Sequence, residues 1–304
     1  MNPLKETIPA INSGIAKSKK RGLWIKIPAG ILLTLLLLFL ALSIWGATIE
    51  KDASIQPDYP KTDIMPLLLK DTLSDGDYEV LFYQTGLGKP AVDDLKREED
   101  YIDTMLRFQE NFFEDRTVTC STAFFPVRQE MLNNTSLESP YCFELAPLYD
   151  GDVLITRSTH LFGIRLGHSG IVTDAGGDES LEAYGLGVTS SLQDVQGWRG
   201  YGSVIVLRLK EEYAGLATKA AAFAKENMVG IPYRITSGFL GRKYQEPGSI
   251  WGTQCALLVW NSFYGAGLDI DSNGGRLVIP DNILNSPYFD IVQVYGVDPL
   301  EVHP

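Results

Sequence analysis

The sequence predicts an α+β domain with antiparallel strands, preceded by one transmembrane helix. Three observations carry this expectation. From Leu148 onward, short strand-like apolar runs dominate, and helical patterns gather separately from them. Asp174-Ala-Gly-Gly-Asp178 joins two of those runs with residues suited to a hairpin turn. Ile27 to Ala47 is an uninterrupted apolar run, and at about 1.5 Å per residue it reaches roughly 30 Å, the thickness of a bilayer core.

The apolar run also sets an address. Residues 1–46 hold six basic side chains and one acid, a balance of +5, so the remainder carries −17 of the total charge of −12. The basic cluster Lys17 to Lys26 lies just before the run, and no basic residue follows until Lys51. The positive-inside rule then places the N-terminus in the cytoplasm and the body outside the cell membrane, anchored through residues 24–47. Trp24 and Trp45 stand near the two ends, where aromatic anchors belong. The competing reading is a cleaved signal peptide with Ala41-Leu42-Ser43 near its cleavage site, but the run exceeds a typical h-region. An acidic body excludes nucleic acid as a partner class, because phosphate binding needs a basic face. The same acidity is poorly matched to an anionic membrane surface.

Residues 1–22 read as an unstructured cytoplasmic tail, 23–47 as a signal anchor, 48–145 as a linker and mainly helical accessory region, and 146–304 as the main domain. In the accessory region, Tyr78 to Tyr83 has strand alternation, and Ala91 to Asp115 has the spacing of one amphipathic helix. Cys120 to Cys142 reads as loop with a short helix at Arg128 to Leu132. In the main domain, strands are expected at Val153–Thr156, Leu166–Thr173, Ser180–Tyr184, Ser203–Leu209 and Asp290–Tyr295. Glu211 to Met228 reads as an Ala-rich helix ending at Gly230.

Trp251 to Tyr264 reads as a loop turning into a helix that is apolar on almost every side and therefore buried. Cys255 falls in its first turn, where unpaired N–H groups and the helix dipole favour a thiolate. A buried, inert structural cysteine is the competing reading. Cys120 and Cys142 lie close in sequence and make the natural disulfide pair, worth about 3 kcal/mol by loop closure; two reduced core cysteines are the equal alternative. A nucleophilic cysteine needs a base. Of the three histidines, His303 is penultimate, His160 falls in a loop, and His168 sits in a strand between Gly167 and Gly170. With the turn centred near Ala175, His168 comes almost opposite Glu182 on one face of the sheet. No phosphate-cradling motif or metal-ligand spacing is present, and no cofactor is expected. Asp269 and Asp271 alternate with apolar residues in a loop, where a cation site would need further oxygen ligands.

Gly151-Asp-Val-Leu-Ile155, Gly167-His-Ser-Gly-Ile-Val172, Leu181-Glu-Ala183 and Cys255-Ala-Leu-Leu-Val-Trp260 occur in one order. This order resembles the circularly permuted papain-like thiol hydrolases of the YiiX/YebB-like group, relatives of the NlpC-type cell-wall peptidases in which His precedes Cys. Leu268 to Gly275 and Val278 to Asp281 share the resemblance, which covers residues 146–297. It implies a permuted papain-like fold with Cys255 as nucleophile, His168 as base, Glu182 as orienting acid, and Tyr233 near the oxyanion site. Two positions depart from the pattern: Gln254 stands where an aromatic residue is usual, and Ala256 where serine is usual. Gln254 is either an oxyanion donor or a polar residue at a helix N-terminus. The expected activity is cleavage of an amide bond, with cell-wall peptide as substrate. An acyltransferase or lipid-ester hydrolase, as in the related lecithin retinol acyltransferase, and a non-catalytic binding module are the rivals.

Overall fold

The computed structural model describes residues 18–49, 54–124, 127–133, 143–161 and 164–302. The chain divides into two compact units, Met1–Ile49 and Glu50–Pro304. The first contains α1 (Ser18–Ile49), a 32-residue helix. Its stretch Pro28–Trp45 has a mean hydropathy of 2.3 and contains no buried residue. That helix is long and apolar enough to cross a membrane, a property it shares with signal sequences. Helix starts at Ser18, inside the segment expected to be an unstructured tail.

The second unit begins with β1 (Ser54–Ile55), α2 (Met65–Leu68), α3 (Asp75–Thr85), α4 (Lys89–Leu95) and α5 (Tyr101–Phe113). Strands β2 (Arg116–Phe124), β3 (Val127–Leu132), β4 (Val153–Thr156), β5 (Thr159–Leu161), β6 (Ile164–Arg165), β7 (His168–Asp174), β8 (Glu179–Glu182), β9 (Ser191–Asp194) and β10 (Val204–Leu209) follow. The chain closes with α6 (Ala214–Asn227), α7 (Cys255–Gly265), α8 (Pro280–Leu284), β11 (Phe289–Tyr295) and α9 (Pro299–Val302). The result is a mixed α+β unit with two antiparallel sheets. One has the order β11-β10-β4-β7-β8-β9, the other β1-β2-β3-β5-β6.

The six-stranded sheet is covered on both faces, and its sequence shows why. Val153 and Ile155 of β4, with Ile205 and Leu207 of β10, pack into a core with α6 and α7. The alternate residues Leu154, Val204 and Val206 pack into a second core with Leu81, Ala91, Val92 and Met105 from α3 to α5. A strand buried on both faces reads as a continuous apolar run, as Val204 to Leu207 does. The described helices between residues 65 and 113 thus pack in the same compact unit as the six-stranded sheet. Arg208 of β10 fastens the helices to the sheet, with its guanidinium 2.7 Å from Asp94 and 2.8 Å from Asp152 and its plane 3.8 Å from the Tyr149 ring centre.

Several sequence expectations give way for local physical reasons. Tyr78 to Tyr83 is not a strand but the middle of α3. Ser74 and Asp77 form a reciprocal capping box at its start, and Gly86 ends it in the left-handed conformation at φ 71°. Ala91 to Asp115 is two helices, α4 and α5, rather than one. Arg128 to Leu132 is strand rather than helix, because β3 is held between β2 and β5. His160 likewise lies in β5 and not in a loop. Glu211–Tyr213 is a separate 3-10 turn ahead of α6.

Candidate active site

Cys255 is the first residue of α7, following an extended Gln254 at φ −125° and ψ 169°. Every residue from Ala256 to Phe263 is buried, so the helix is locked in place and its thiol end meets the surface. Cys255 itself is partly exposed. The first-turn N–H groups have no partner within the helix and favour negative charge there.

The β7–β8 hairpin supplies the base and its partner. Here the register differs from expectation. The residue opposite Glu182 is Gly170, not His168. The strands close at Asp174 and Glu179, one residue beyond the expected turn centre, and Thr173 bulges out of the ladder. His168 and Glu182 still share a face, two residues apart on a diagonal. The Glu182 side chain crosses over Gly170 to put Oε2 2.8 Å from His168 Nε2. A Cβ on Gly170 would lie 2.9 Å from Glu182 Cγ and 3.1 Å from Trp198 Cζ2. The absence of a side chain at residue 170 is therefore what allows the contact.

Both partners are almost fully buried. The other Glu182 oxygen accepts from Ser180 Oγ and Trp198 Nε1, each at 2.8 Å. The Tyr184 and Trp198 rings stack on the imidazole, with centroids 5.1 and 5.5 Å away and planes within 18° and 12°. Nε2 faces Glu182, which leaves the other ring nitrogen for Cys255, whose helix α7 packs against β7 and whose thiol and the imidazole shift each other's titration. Burial alone raises the Cys255 thiol. The His168 hydrogen bond and charge, with backbone N–H groups of Ser169 and Ala256, outweigh it and bring the thiol below its ordinary range. Burial likewise opposes charge on His168, but Cys255 and Glu182 push it up to about 10. Glu182 is drawn down against its own burial, chiefly by His168. All three directions favour a thiolate–imidazolium pair beside a carboxylate.

Tyr233 reaches the site through backbone pairing of residues 232–234 with Thr253. Burial, then the Cys255 charge, raise its hydroxyl far above the ordinary tyrosine range, so it stays an O–H donor. Tyr201 is buried near Glu182 and Cys255 and is raised in the same way. Gln254 does not serve as an oxyanion donor. Its Nε2 gives both hydrogens to the carbonyls of Ile235 and Ser237, each at 2.8 Å, and so holds the neighbouring loop.

The structure thus brings Cys255, His168, Glu182 and Tyr233 together. His160 is elsewhere, with Nε2 3.6 Å from Cys120 Sγ and 3.7 Å from Glu130 Oε1. Cys142 and His303 lie outside the described residues, and the expected Cys120–Cys142 pairing lies there too. Sequence reading missed Trp198, Ser180 and Tyr184. Ser180 and Tyr184 were findable, since each is two positions from Glu182 and period two places them on its side. Trp198 comes from a 3-10 turn, Val195–Gly200, that carries no such signal. Among the described residues no group of three His, Cys, Asp or Glu side chains is arranged to hold a metal. A groove of about 1490 Å³ opens elsewhere, lined by Tyr78, Asp94, Tyr149 and Arg208, and includes none of the four site residues. No protein-family model matches the chain, and neither the curated proteins nor the solved structures give a match to it.

Proposed function

We propose that the second unit is a thiol hydrolase of the permuted papain-like type, with Cys255 as nucleophile, His168 as acid–base and Glu182 as orienting group. The observation that supports this reading is the buried 2.8 Å His168–Glu182 contact on a strand packed against the helix that starts at Cys255, with shifts toward thiolate and imidazolium. The thiolate attacks a carbonyl carbon, and the oxyanion takes hydrogen bonds from the first-turn N–H of α7 and from the Tyr233 hydroxyl. Collapse breaks the C–N bond while His168 gives its proton to the leaving amine, leaving a thioester on Cys255. Neutral His168 then takes a proton from water, whose oxygen attacks the thioester. The products are a carboxylic acid and the restored thiolate–imidazolium pair.

The preferred substrate is a cell-wall peptide amide; the basic residues before the apolar run, with none following until Lys51, support an outward-facing unit by the positive-inside rule. An ester or acyl-transfer activity is the second reading, favoured by exposed apolar side chains on the loops beside Cys255. The purified chain is to be offered cell-wall fragments and phospholipid in parallel, with intact-mass detection of an acyl adduct. New amines with an adduct that Cys255→Ala abolishes support the amide reading. Released fatty acid with no amine reverses it, and no adduct with either substrate argues against the enzyme.

A further inference from the structure

Two loops beside Cys255 carry large apolar side chains that the fold leaves uncovered. Leu186 and Val188 lie on the segment joining β8 to β9, and Ile235, Phe239, Leu240 and Trp251 lie between α6 and α7. Leu240, Ile235 and Phe239 are 64%, 60% and 59% exposed. The loops form one structure rather than separate flaps. Tyr233 N donates to Val188 O at 3.0 Å, Ser190 N to Ile231 O at 2.8 Å, and Arg234 N to Thr253 O at 2.8 Å. Gln254 ties Ile235 and Ser237 to the start of α7, and Gln245 accepts from Trp251 N and donates to Gly252 O. Gly238 lies so close to Arg276 O that a Cβ there would be 2.8 Å from it, which brings the loop before α8 alongside Phe239.

The charge of this face is opposite to that of the whole unit. Residues 231–254 hold Arg234, Arg242 and Lys243 against one acid, Glu246, and the adjoining loop adds exposed Arg276 with the acids Asp269 and Asp271, a balance of +1. Lys243 is paired with the buried Asp271. Exposed guanidiniums among large apolar side chains, with no acid in residues 184–190, match the headgroup zone of a bilayer.

We infer that this apolar, arginine-bearing platform docks on a lipid bilayer containing anionic phospholipid and so turns the mouth of the Cys255 site toward the membrane surface. The inference rests on the surface and not on the chemistry of Cys255. Phe239, Leu240 and Trp251 enter the acyl boundary, and Arg234, Arg242 and Arg276 meet the phosphates.

The full chain is to be reconstituted in phosphatidylcholine–phosphatidylglycerol vesicles with a diazirine on a lipid acyl chain, photolysed, and mapped by peptide mass spectrometry. Label is expected on peptides carrying residues 184–190 and 235–251 as well as on α1. Phe239→Ser with Leu240→Ser is expected to lower the docked-to-undocked ratio roughly tenfold, as two large apolar side chains leave the contact. These positions are exposed, and an unchanged melting temperature checks the fold. Cys255→Ala is expected to label as the wild type does, so loss of the enzymatic reading leaves this result standing. Label on α1 with both loops blank overturns the inference. So does label on the loops that ignores both the double substitution and the removal of anionic lipid. Blank loops that instead cross-link to a second copy of the chain assign the platform to self-association and also overturn it.

Discussion

Replacing Gly170 by alanine separates an active His168–Glu182 pair from an idle cross-strand contact. The new Cβ would lie 2.9 Å from Glu182 Cγ and 3.1 Å from Trp198 Cζ2. Ordinary carbon contacts begin near 3.5 Å, so Glu182 must retreat by about 0.6 Å or more. Such overpacking costs about 1–3 kcal/mol. The retreat acts on a carboxylate held at 2.8 Å from His168 Nε2, and a misplacement of about 1 Å can cost roughly 100-fold in rate. The assay needs no substrate: the rate of Cys255 alkylation by limiting iodoacetamide is followed from pH 5 to 10 by peptide mass spectrometry. In the wild type the rate rises with a pKa below the ordinary thiol value of about 8.5. In Gly170→Ala the imidazolium loses its carboxylate, and the alkylation pKa moves up. Glu182→Gln shifts the profile the same way, and the double variant adds little, because both substitutions act on one contact. A Gly170→Ala profile superimposed on the wild type, or full additivity in the double variant, would refute the reasoning.

His168→Ala is expected to raise the alkylation pKa above the ordinary thiol range, because the burial that opposes the thiolate remains after its counter-charge is gone; a profile still below that range would remove His168 from the pair. Turnover in the wild type should begin as Cys255 ionises at its lowered pKa and fall as pH rises through about 10, where His168 loses the proton it gives to the leaving group; a pH–rate profile checks both limbs. Trp198→Phe keeps a stacked ring but removes one donor to Glu182 Oε1, and should reduce turnover less than Glu182→Gln, since Ser180 still donates to that oxygen. Arg208→Ala strands the buried Asp152 carboxylate and should cost about 3–5 kcal/mol in denaturant unfolding. Leu154→Ala, on the sheet face packed by the core that includes α3 to α5, should cost about 2–5 kcal/mol; a loss under 1 kcal/mol would mean that those helices are not an integral layer.

The sequence by itself determined the periodic and local features. Those are the apolar helix, the main strands from Val153 to Tyr295, the cysteine at a helix N-terminus, and the hairpin that puts His168 and Glu182 on one face. Each is encoded within a few residues, by apolar spacing or by turn chemistry. Tertiary structure decided what depends on distant partners. The bulge at Thr173 and closure at Asp174–Glu179 set the diagonal that makes Gly170 necessary. Trp198 arrives from outside the hairpin, and Gln254 spends its amide on a loop some 20 residues earlier in the chain. The helices between residues 65 and 113 cover the second sheet face, which propensity alone could not assign. Net charge does not show the apolar, arginine-bearing stretch 231–254 either, because charge is summed along a chain while local composition differs from one side of the fold to another. Periodicity fixes which way a side chain points, but register, burial and local field arise only when segments far apart in sequence are packed together.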